Sequence, residues 1–209
     1  MKLYSYWRSS CSWRVRIALN FKGIPHEIVP VHLVRAEHDQ AEHRGRNPMG
    51  QVPVLAVDEG FLSQSVAILE YLEERYPTPA LLPADPWQRA QVRAVVETIN
   101  SGIQPIQNMA VNRYVAATFG GDAAAWNHHW IGRGLERLEQ QVVPGPFAVG
   151  ATPTFADLCL VPQLYNARRF GCAVEAWPNL LAVEAACLAL PAFQAAHPDQ
   201  QPDAEPPKA

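Results

Sequence analysis

The sequence has few cysteines and none of the spacings that mark a metal site or a redox pair. The 209-residue chain has four: Cys11, Cys159, Cys172 and Cys187. No two of them form a C-x-x-C pair, and their separations do not match a zinc finger. We therefore expect reduced thiols, no structural metal and no disulfide framework.

An excess of positive charge is also missing. The formal net charge is -3 and the sequence pI is near 6.2, which argues against nucleic acid as a partner. The first eight residues reach a charge before a signal-peptide core could form, and the apolar stretch 176–193 is interrupted by Pro178, Glu184 and Pro191. We expect a soluble, cytoplasmic protein without a membrane partner.

The sequence lacks the motifs of several common enzyme classes. It contains no H-E-x-x-H, no G-x-G-x-x-G, no G-x-x-x-x-G-K-[ST] and no G-x-S-x-G. The pairs His128-His129 and His38 with His43 also lack zinc-site spacing. These absences disfavour a metalloenzyme, a nucleotide-binding protein and a serine hydrolase.

What is present in residues 1–80 is an alternation of strand-like and helix-like segments in the order β-α-β-α-β-β-α. This pattern predicts an α/β domain. The predicted strands are Lys2–Tyr6, His26–Val31, a run ending at Val57, and Phe61–Ser63, and the predicted helices are Trp13–Lys22, Glu37–His43 and Ser65–Tyr76.

The second half of the sequence is predicted to be entirely helical. Residues 77–86 hold four prolines and are predicted to be an interdomain linker. Residues 87–209 then form an all-α domain, with helical spacing in Trp87–Phe119, Ala123–Val143, Thr154–Phe170 and Asn179–Leu190. The tail from residue 198 is polar and rich in proline, which predicts disorder.

Two helix starts carry recognisable local chemistry. Thr154-Phe155-Ala156-Asp157 is a variant capping box, whose role is in folding. Ser9-Ser10-Cys11-Ser12 follows the first strand and opens a helix, so hydroxyls and a thiol meet backbone N–H groups that have no helical partner. Such a helix start suits an anion such as a thiolate, although isolated serines before a helix are more often simple N-caps.

Several separated motifs together resemble one known family. They are Ser9 to Leu19, Asn47-Pro48-Met49 with Gln51-Val52-Pro53, Gln64-Ser65, Ile103-Gln104-Pro105 with Gln107-Asn108, and Ala156 to Gln163. On these motifs the chain resembles the zeta-class glutathione transferases of the maleylacetoacetate isomerase family. The segment His197-Pro198 with Gln201-Pro202-Asp203 is also similar to family members.

The resemblance implies a glutathione transferase fold, with a thioredoxin-like domain over 1–80 and a helical bundle over 87–209, and it implies a cytoplasmic homodimer. It also implies glutathione as cofactor and a role in aromatic amino acid catabolism. Val52-Pro53 is implied to be a cis-proline turn whose backbone pairs with glutathione. The residues implied to bind glutathione are Ser9, Ser10, Cys11, His38, Val52, Gln64, Ser65, Gln104 and Asn108.

The implied reaction is cis–trans isomerisation of a maleyl double bond by reversible addition of the glutathione thiolate. We assign Ser9 as the hydrogen-bond donor to the thiolate, Ser10 and the Cys11 backbone as the rest of the anion site, and the Cys11 sulfur as a helper. Arg8 and Arg169 are the candidate cations for the substrate dianion, whereas we expect Arg14, Arg16 and Arg168 to be solvated surface groups.

Alternatives remain at this point. Cys11 itself could be a redox thiol, as in glutaredoxin-like and omega-like transferases. Related maleylpyruvate isomerases carry an additional arginine near position 110, where this chain has Ala110 with Arg113 about one turn further on. Maleylacetoacetate is therefore the favoured substrate and maleylpyruvate the alternative. A broader transferase or α-haloacid dehalogenase, and a non-enzymatic glutathione-binding protein, are the other candidates.

Overall fold

The chain forms two compact units. The computed structural model describes residues 1–142 and 145–205. The first unit comprises Met1–Ala80 together with Ala189–Ala209, and the second comprises Leu81–Leu188. The sequence predicted that the helical domain extends over 87–209. The structure corrects this boundary, because Ala189–Ala209 belongs to the first unit.

The first unit is built on a four-stranded mixed sheet. Its elements are β1 (Lys2–Ser5), α1 (Ser10–Phe21), β2 (Glu27–Pro30), a 3₁₀ turn (Glu37–Asp39), α2 (Ala41–Arg46), β3 (Val54–Val57), β4 (Gly60–Ser63) and α3 (Ser65–Arg75). The strand order is β2-β1-β3-β4; β1 and β2 are parallel, whereas β3 is antiparallel to both β1 and β4. The predicted β-α-β-α-β-β-α order is confirmed.

Apolar side chains from the sheet and from two helices form the core of this unit. Leu3 of β1 lies opposite Leu55 of β3, and both are fully buried. The apolar positions of α1 and α3 that cover them are also buried: Val15, Ile17, Leu19, Ile68, Leu69 and Leu72. Burial of side chains of this size stabilises the fold by about 1.5–3 kcal/mol each.

A buried lysine connects the ends of α1 and α3. Lys22 Nζ lies 2.7 Å from Glu73 Oε2 and donates to the carbonyls of Tyr76 and Pro79 at 2.7 and 2.8 Å. The Lys22 side chain has no solvent exposure. Three acceptors therefore replace the water that this ammonium group loses on burial.

The second unit consists of helices. They are α4 (Pro86–Asn100), α5 (Met109–Phe119), α6 (Ala123–Glu139), α7 (Phe155–Arg169), a 3₁₀ turn (Val174–Ala176) and α8 (Pro178–Leu188). The single predicted helix over Trp87–Phe119 is wrong, because a turn at 101–108 divides it. A Cβ atom at Gly102 would lie 2.6 Å from the Thr98 carbonyl oxygen, so this turn needs glycine there. The predicted helix end at Val143 and the predicted break at Pro144 lie outside the described residues.

Helix α7 is the buried centre of the second unit, and the predicted capping box forms at its start. Asp157 is fully buried, and its carboxylate accepts from Thr154 N at 2.7 Å, Thr154 Oγ at 3.0 Å and Ala148 N at 2.8 Å. Burial raises the pKa of Asp157, and these donors oppose the rise because they stabilise the charged form.

The described residues after α8 pack against the rest of the first unit. Helix α9 (Pro191–Ala196) packs on α1 and is followed by a 3₁₀ turn at Pro198–Gln200. The predicted disorder from residue 198 is wrong for residues 198–205, because this segment makes hydrogen bonds to α9 and to the loops after β1 and β2. The rest of the predicted disordered tail, 206–209, lies outside the described residues. Across the described ranges, no helix has the length and apolar character needed to cross a membrane.

We expect Asp157→Ala to lower the free energy of unfolding by about 2–4 kcal/mol, because it leaves buried backbone donors without an acceptor. The measurement is denaturant-induced unfolding followed by circular dichroism. Asp122→Ala is the matched control, since Asp122 caps α6 at an exposed position and its loss costs about 1 kcal/mol. Equal losses in the two variants would contradict a special contribution from the buried carboxylate.

Candidate active site

The N-terminus of α1 presents a hydroxyl that is already oriented by the backbone. Ser9 is the N-cap of α1, and its Oγ accepts from Ser12 N at 3.2 Å. A serine hydroxyl accepts and donates at the same time, so this contact leaves the Ser9 hydrogen available for an external acceptor. The local geometry thus turns an ordinary N-cap into a hydrogen-bond donor at the positive end of a helix.

Ser10 and Cys11 occupy the first turn of the same helix. Their backbone N–H groups belong to the first turn, where no carbonyl within the helix can accept them. Ser10 is buried with 7% exposure, whereas Cys11 is half-buried and its thiol is free of a disulfide. The turn combines N–H and O–H donors, which is the donor set that a thiolate requires.

The N-terminus of α3 supplies a second group of donors in the same unit. Gln64 precedes α3 with φ of 72°, a backbone conformation that non-glycine residues rarely adopt and that often marks a ligand site. Ser65 is buried, and its Oγ accepts from Arg14 Nη1 at 3.2 Å. As at Ser9, the accepted bond leaves the Ser65 hydroxyl hydrogen for an anion.

Arg14 physically connects these two helix starts, since it lies on α1 and contacts Ser65 on α3. The predicted solvation of Arg14 and Arg16 is wrong, because their exposures are 0% and 1%. Sequence reasoning missed both residues as parts of the site. The available signal was that no acidic residue of α1 could pair with either guanidinium, which left the partners to come from elsewhere.

The loop before β3 carries the implied cis-proline turn. The Val52–Pro53 peptide bond is cis. The carbonyl of Gln51, just before it, accepts from Asn47 Nδ2 at 2.9 Å and lies 3.0 Å from His43 Nε2. His43 is almost fully buried, so two side chains fix the peptide that leads into Val52. The sequence motifs did not identify His43 as a residue of the site.

The remaining predicted residues of the first unit lie on nearby loops. His38 is in the 3₁₀ turn, with Nε2 3.4 Å from Asp39 Oδ2. Arg8 is half-buried immediately before Ser9, and its guanidinium carbon lies 4.8 Å from the centre of the Trp7 ring. Arg8 therefore places a cation beside the start of α1.

The other predicted residues belong to the second unit. Gln104 is half-buried in the turn between α4 and α5. Asn108 is the N-cap of α5, with its Oδ1 accepting from Ala110 N at 2.9 Å. Its side-chain NH₂ can still donate.

Two consecutive arginines end α7 and have different surroundings. Arg169 is exposed, and its Nη1 donates to Asn166 Oδ1 at 3.2 Å. Arg168 instead forms a bidentate pair with Glu184, with Nη1 2.6 Å from Oε1, so its predicted solvation is only partly right. This hydrogen-bonded pair raises the pKa of Arg168.

The arrangement in the first unit can hold an extended, anionic peptide-like ligand. It offers donors at two helix starts, tied together by Arg14, and a backbone edge at Val52 whose preceding peptide is fixed. Among residues 1–142 and 145–205, no group of three or more histidine, cysteine or acidic side chains is placed to bind a metal ion.

Comparison with known proteins finds similarity to one family in both halves of the chain. Residues 1–74 match the family model of the glutathione S-transferase N-terminal domain, and residues 131–186 match that of the C-terminal domain. Probable maleylacetoacetate isomerase 2 of Drosophila melanogaster is 48% identical over 208 residues, which cover 98% of this chain and 90% of that protein.

Two solved structures extend the likeness to three dimensions. Maleylacetoacetate isomerase from Anaeromyxobacter dehalogenans, with glutathione bound in its active site, has a TM-score of 0.90 and 54% identity, covering 98% of this chain and 97% of that one. The holo structure of a bacterial maleyl pyruvate isomerase of the zeta class has a TM-score of 0.95 and 46% identity, covering 98% and 100%. With both family models matched and relatives similar over nearly the whole length, the chain belongs to the glutathione S-transferase family.

Proposed function

We propose that this chain is a glutathione-dependent cis–trans isomerase that converts maleylacetoacetate to fumarylacetoacetate. The observation that carries the proposal is the Ser9 hydroxyl, which accepts from Ser12 N and keeps its hydrogen for a thiolate at the start of α1. The similarity to enzymes named maleylacetoacetate isomerase supports the choice of reaction.

Glutathione fits the donors of the first unit. Bound glutathione would supply a thiolate that adds reversibly to the maleyl double bond, allows rotation about the resulting single bond, and leaves. Ser9 donates to that sulfur, while Ser10 and the Cys11 N–H complete the anion site and the Cys11 sulfur stays a helper. Cys11 is not assigned as the nucleophile, because the proposed role of the Ser9 hydroxyl is to donate to the thiolate of a bound glutathione.

The peptide part of glutathione is assigned to the remaining polar groups. Ser65 and the backbone at Gln64 suit the γ-glutamyl carboxylate, since they lie at the N-terminus of α3. The Val52 backbone pairs with the extended tripeptide. His38 binds the glycyl end of glutathione. The family resemblance implies that the side-chain NH₂ groups of Asn108 and Gln104 are further donors to glutathione.

The substrate is a dianion, and arginines are the proposed partners of its carboxylates. Arg8 is adjacent in sequence to the Ser9 turn and half-buried. At the end of α7, Arg168 forms two hydrogen bonds with Glu184, and we assign the substrate carboxylate to its neighbour Arg169, as the family resemblance implies. A guanidinium group can bind a carboxylate through two parallel hydrogen bonds.

Maleylpyruvate is the alternative substrate, favoured by the similarity to a maleyl pyruvate isomerase. Position 110 is an exposed alanine in the first turn of α5, and Arg113 is exposed one turn later. Residues three apart share a helix face, so Arg113 can present its charge on the same side as position 110. Broader transferase activity remains a second activity of the same thiolate site.

We also propose that the protein is a cytoplasmic homodimer. Each unit exposes large apolar side chains, including Met49 with 68% and Phe61 with 54% exposure in the first unit and Trp87 with 71% in the second. Covering such side chains with another protein removes apolar surface from water, which favours association. A second copy of the chain is the occupant that the family resemblance implies.

The function is tested by assaying maleylacetoacetate and maleylpyruvate side by side, with and without glutathione. We expect turnover only when glutathione is present, because the thiolate that adds to the alkene is proposed to be that of glutathione and not that of Cys11. The higher kcat/KM should belong to maleylacetoacetate. Full turnover without any thiol would refute the mechanism, and a preference for maleylpyruvate would select the alternative substrate.

We expect Ser9→Ala to lower kcat/KM for the isomerisation about a hundredfold, since it removes a donor to the thiolate. Ser9→Asp and Ser9→Thr separate this role from capping. Aspartate can still accept from Ser12 N but cannot donate, so activity should fall while stability is kept. Threonine retains both functions and should retain activity. An active Ser9→Asp enzyme would show that Ser9 acts only as an N-cap.

Arg169→Ala should raise KM for the maleyl substrate about tenfold, because one charged hydrogen-bond partner of a carboxylate is lost. The KM for glutathione should change little. Arg168→Ala is the neighbouring control: it breaks the pair with Glu184 and should affect thermal stability rather than KM. Equal changes in both KM values for Arg169→Ala would remove this residue from the substrate site.

A further inference from the structure

The segment after α9 folds back onto the first unit and is anchored at its start. Gln201 is 9% exposed, and its Nε2 donates to the carbonyls of Ala195 at 3.1 Å and His197 at 2.9 Å. We call residues 201–205 the C-terminal strap. The two bonds of Gln201 fix the direction in which the strap leaves α9.

The strap contacts the two loops that carry predicted glutathione-binding residues. Asp203 Oδ2 accepts from Trp7 N at 2.9 Å, in the loop that leads to Ser9. Glu205 Oε1 lies 2.9 Å from His32 Nε2 and 3.3 Å from Arg35 Nη2, in the loop that leads to His38. Since Arg35 N donates to His32 Nδ1 at 3.1 Å, His32 carries its proton on Nε2 and donates it to Glu205.

Arg16 also binds the loop after β1, through hydrogen bonds to acceptors of Ser5, Tyr6 and Trp7. Its Nη2 donates to Trp7 O at 2.9 Å, and its Nη1 lies 3.4 Å from Tyr6 O and 3.1 Å from Ser5 Oγ. Its Nε donates to Ala196 O at 3.1 Å, the last residue of α9. Trp7 therefore has its N–H held by Asp203 and its carbonyl held by Arg16.

The hydrogen bonds of Arg16 extend to the backbone of Ser9 through the carbonyl of Tyr6. Tyr6 O accepts from Ser9 N at 3.0 Å as well as from Arg16, so Tyr6 to Ser9 form a turn fixed on both sides. The turn determines where α1 begins and hence where the Ser9 hydroxyl points. Donor alignment decides how strongly a bound thiolate is stabilised.

Asp203 and Arg16 also interact through their charges. Arg16 is 1% exposed, and burial lowers the pKa of Arg16 to about 9, so it stays charged at neutral pH. The Asp203 carboxylate opposes this lowering because it stabilises the cation. Within the described residues, Asp203 Oδ1 is buried and has no hydrogen-bond donor, so Oδ2 makes the hydrogen bond with Trp7 N.

We propose that Asp203 is a positioning residue for the glutathione site, acting with Arg16 through the Tyr6–Ser9 turn. This inference rests on the proposed function and assigns the C-terminal strap a role in ionising the bound thiol. Asp203 does not touch the reacting atoms; it acts by holding the Trp7 N–H, and through it the donor geometry of Ser9.

The test compares Asp203→Ala with Asp203→Asn. Alanine removes the acceptor of Trp7 N, whereas asparagine keeps a side-chain oxygen there. We expect Asp203→Ala to speed hydrogen exchange of the Trp7 amide in glutathione-free protein about tenfold and to weaken glutathione binding by about the same factor. The pKa of the bound thiol, followed by ultraviolet absorbance of the thiolate, should rise by about one unit.

Asp203→Asn should stay within about threefold of the original protein in all three measurements, since it keeps a neutral hydrogen bond. The proposal is overturned if Asp203→Ala leaves the Trp7 exchange and the thiol pKa unchanged, or if both variants are equally impaired. Melting temperatures of the variants show whether each is folded under the assay conditions.

Two truncations test the same inference without a point substitution. A chain ending at Gln201 loses the strap contacts but keeps the Gln201 anchor, and it should raise the bound-thiol pKa like Asp203→Ala. A chain ending at Glu205 keeps every strap contact and should match the full chain; identical thiol pKa values in the two truncations would overturn the proposal. If the full chain binds no glutathione, the proposed function fails, and the Trp7 exchange rates still decide whether Asp203 positions the turn.

Discussion

The burial of the Arg16 guanidinium is the constraint on which the first unit depends. A charged group taken out of water is unfavourable unless polar partners replace the lost hydration. Here the partners are the carbonyls of Tyr6, Trp7 and Ala196, with the Ser5 hydroxyl, and the Asp203 carboxylate balances the charge. Satisfying one cation thus fixes the end of β1, the start of α1 and the end of α9 together.

In the second unit the buried charged group is a carboxylate, and polar partners stabilise it in the same way. Asp157 is buried at the start of α7 and is satisfied by backbone and hydroxyl donors from Thr154 and by Ala148 N. In both units a buried charge fixes the place where the chain enters a central helix. The difference lies in the distance along the chain: Asp157 uses close neighbours, whereas Arg16 depends on a helix at the far end of the sequence.

This difference explains which predictions from sequence succeeded. The capping box at Thr154 and the N-cap at Ser9 are local, because donor and acceptor lie three residues apart, and both form as predicted. The solvation of Arg14 and Arg16 was predicted wrongly, since their partners, Ser65 and Ala196, are supplied by other elements. The helix predicted over Trp87–Phe119 is divided at 101–108, where a Cβ atom at Gly102 would lie 2.6 Å from the Thr98 carbonyl oxygen.

By itself, the sequence determined the order of strands and helices, the serine-rich start of α1 and the capping residues at the starts of α1 and α7, because periodicity and capping depend on neighbours along the chain. Only the tertiary structure decided which charges are buried, that Arg14 ties the starts of α1 and α3 together, and that the predicted disordered tail is ordered through residue 205. Hydrogen bonds such as Trp7 N to Asp203 join residues 196 positions apart. Such a pairing has no periodicity to reveal it, and it exists only once α9 packs on α1 and brings the tail back to the first loop.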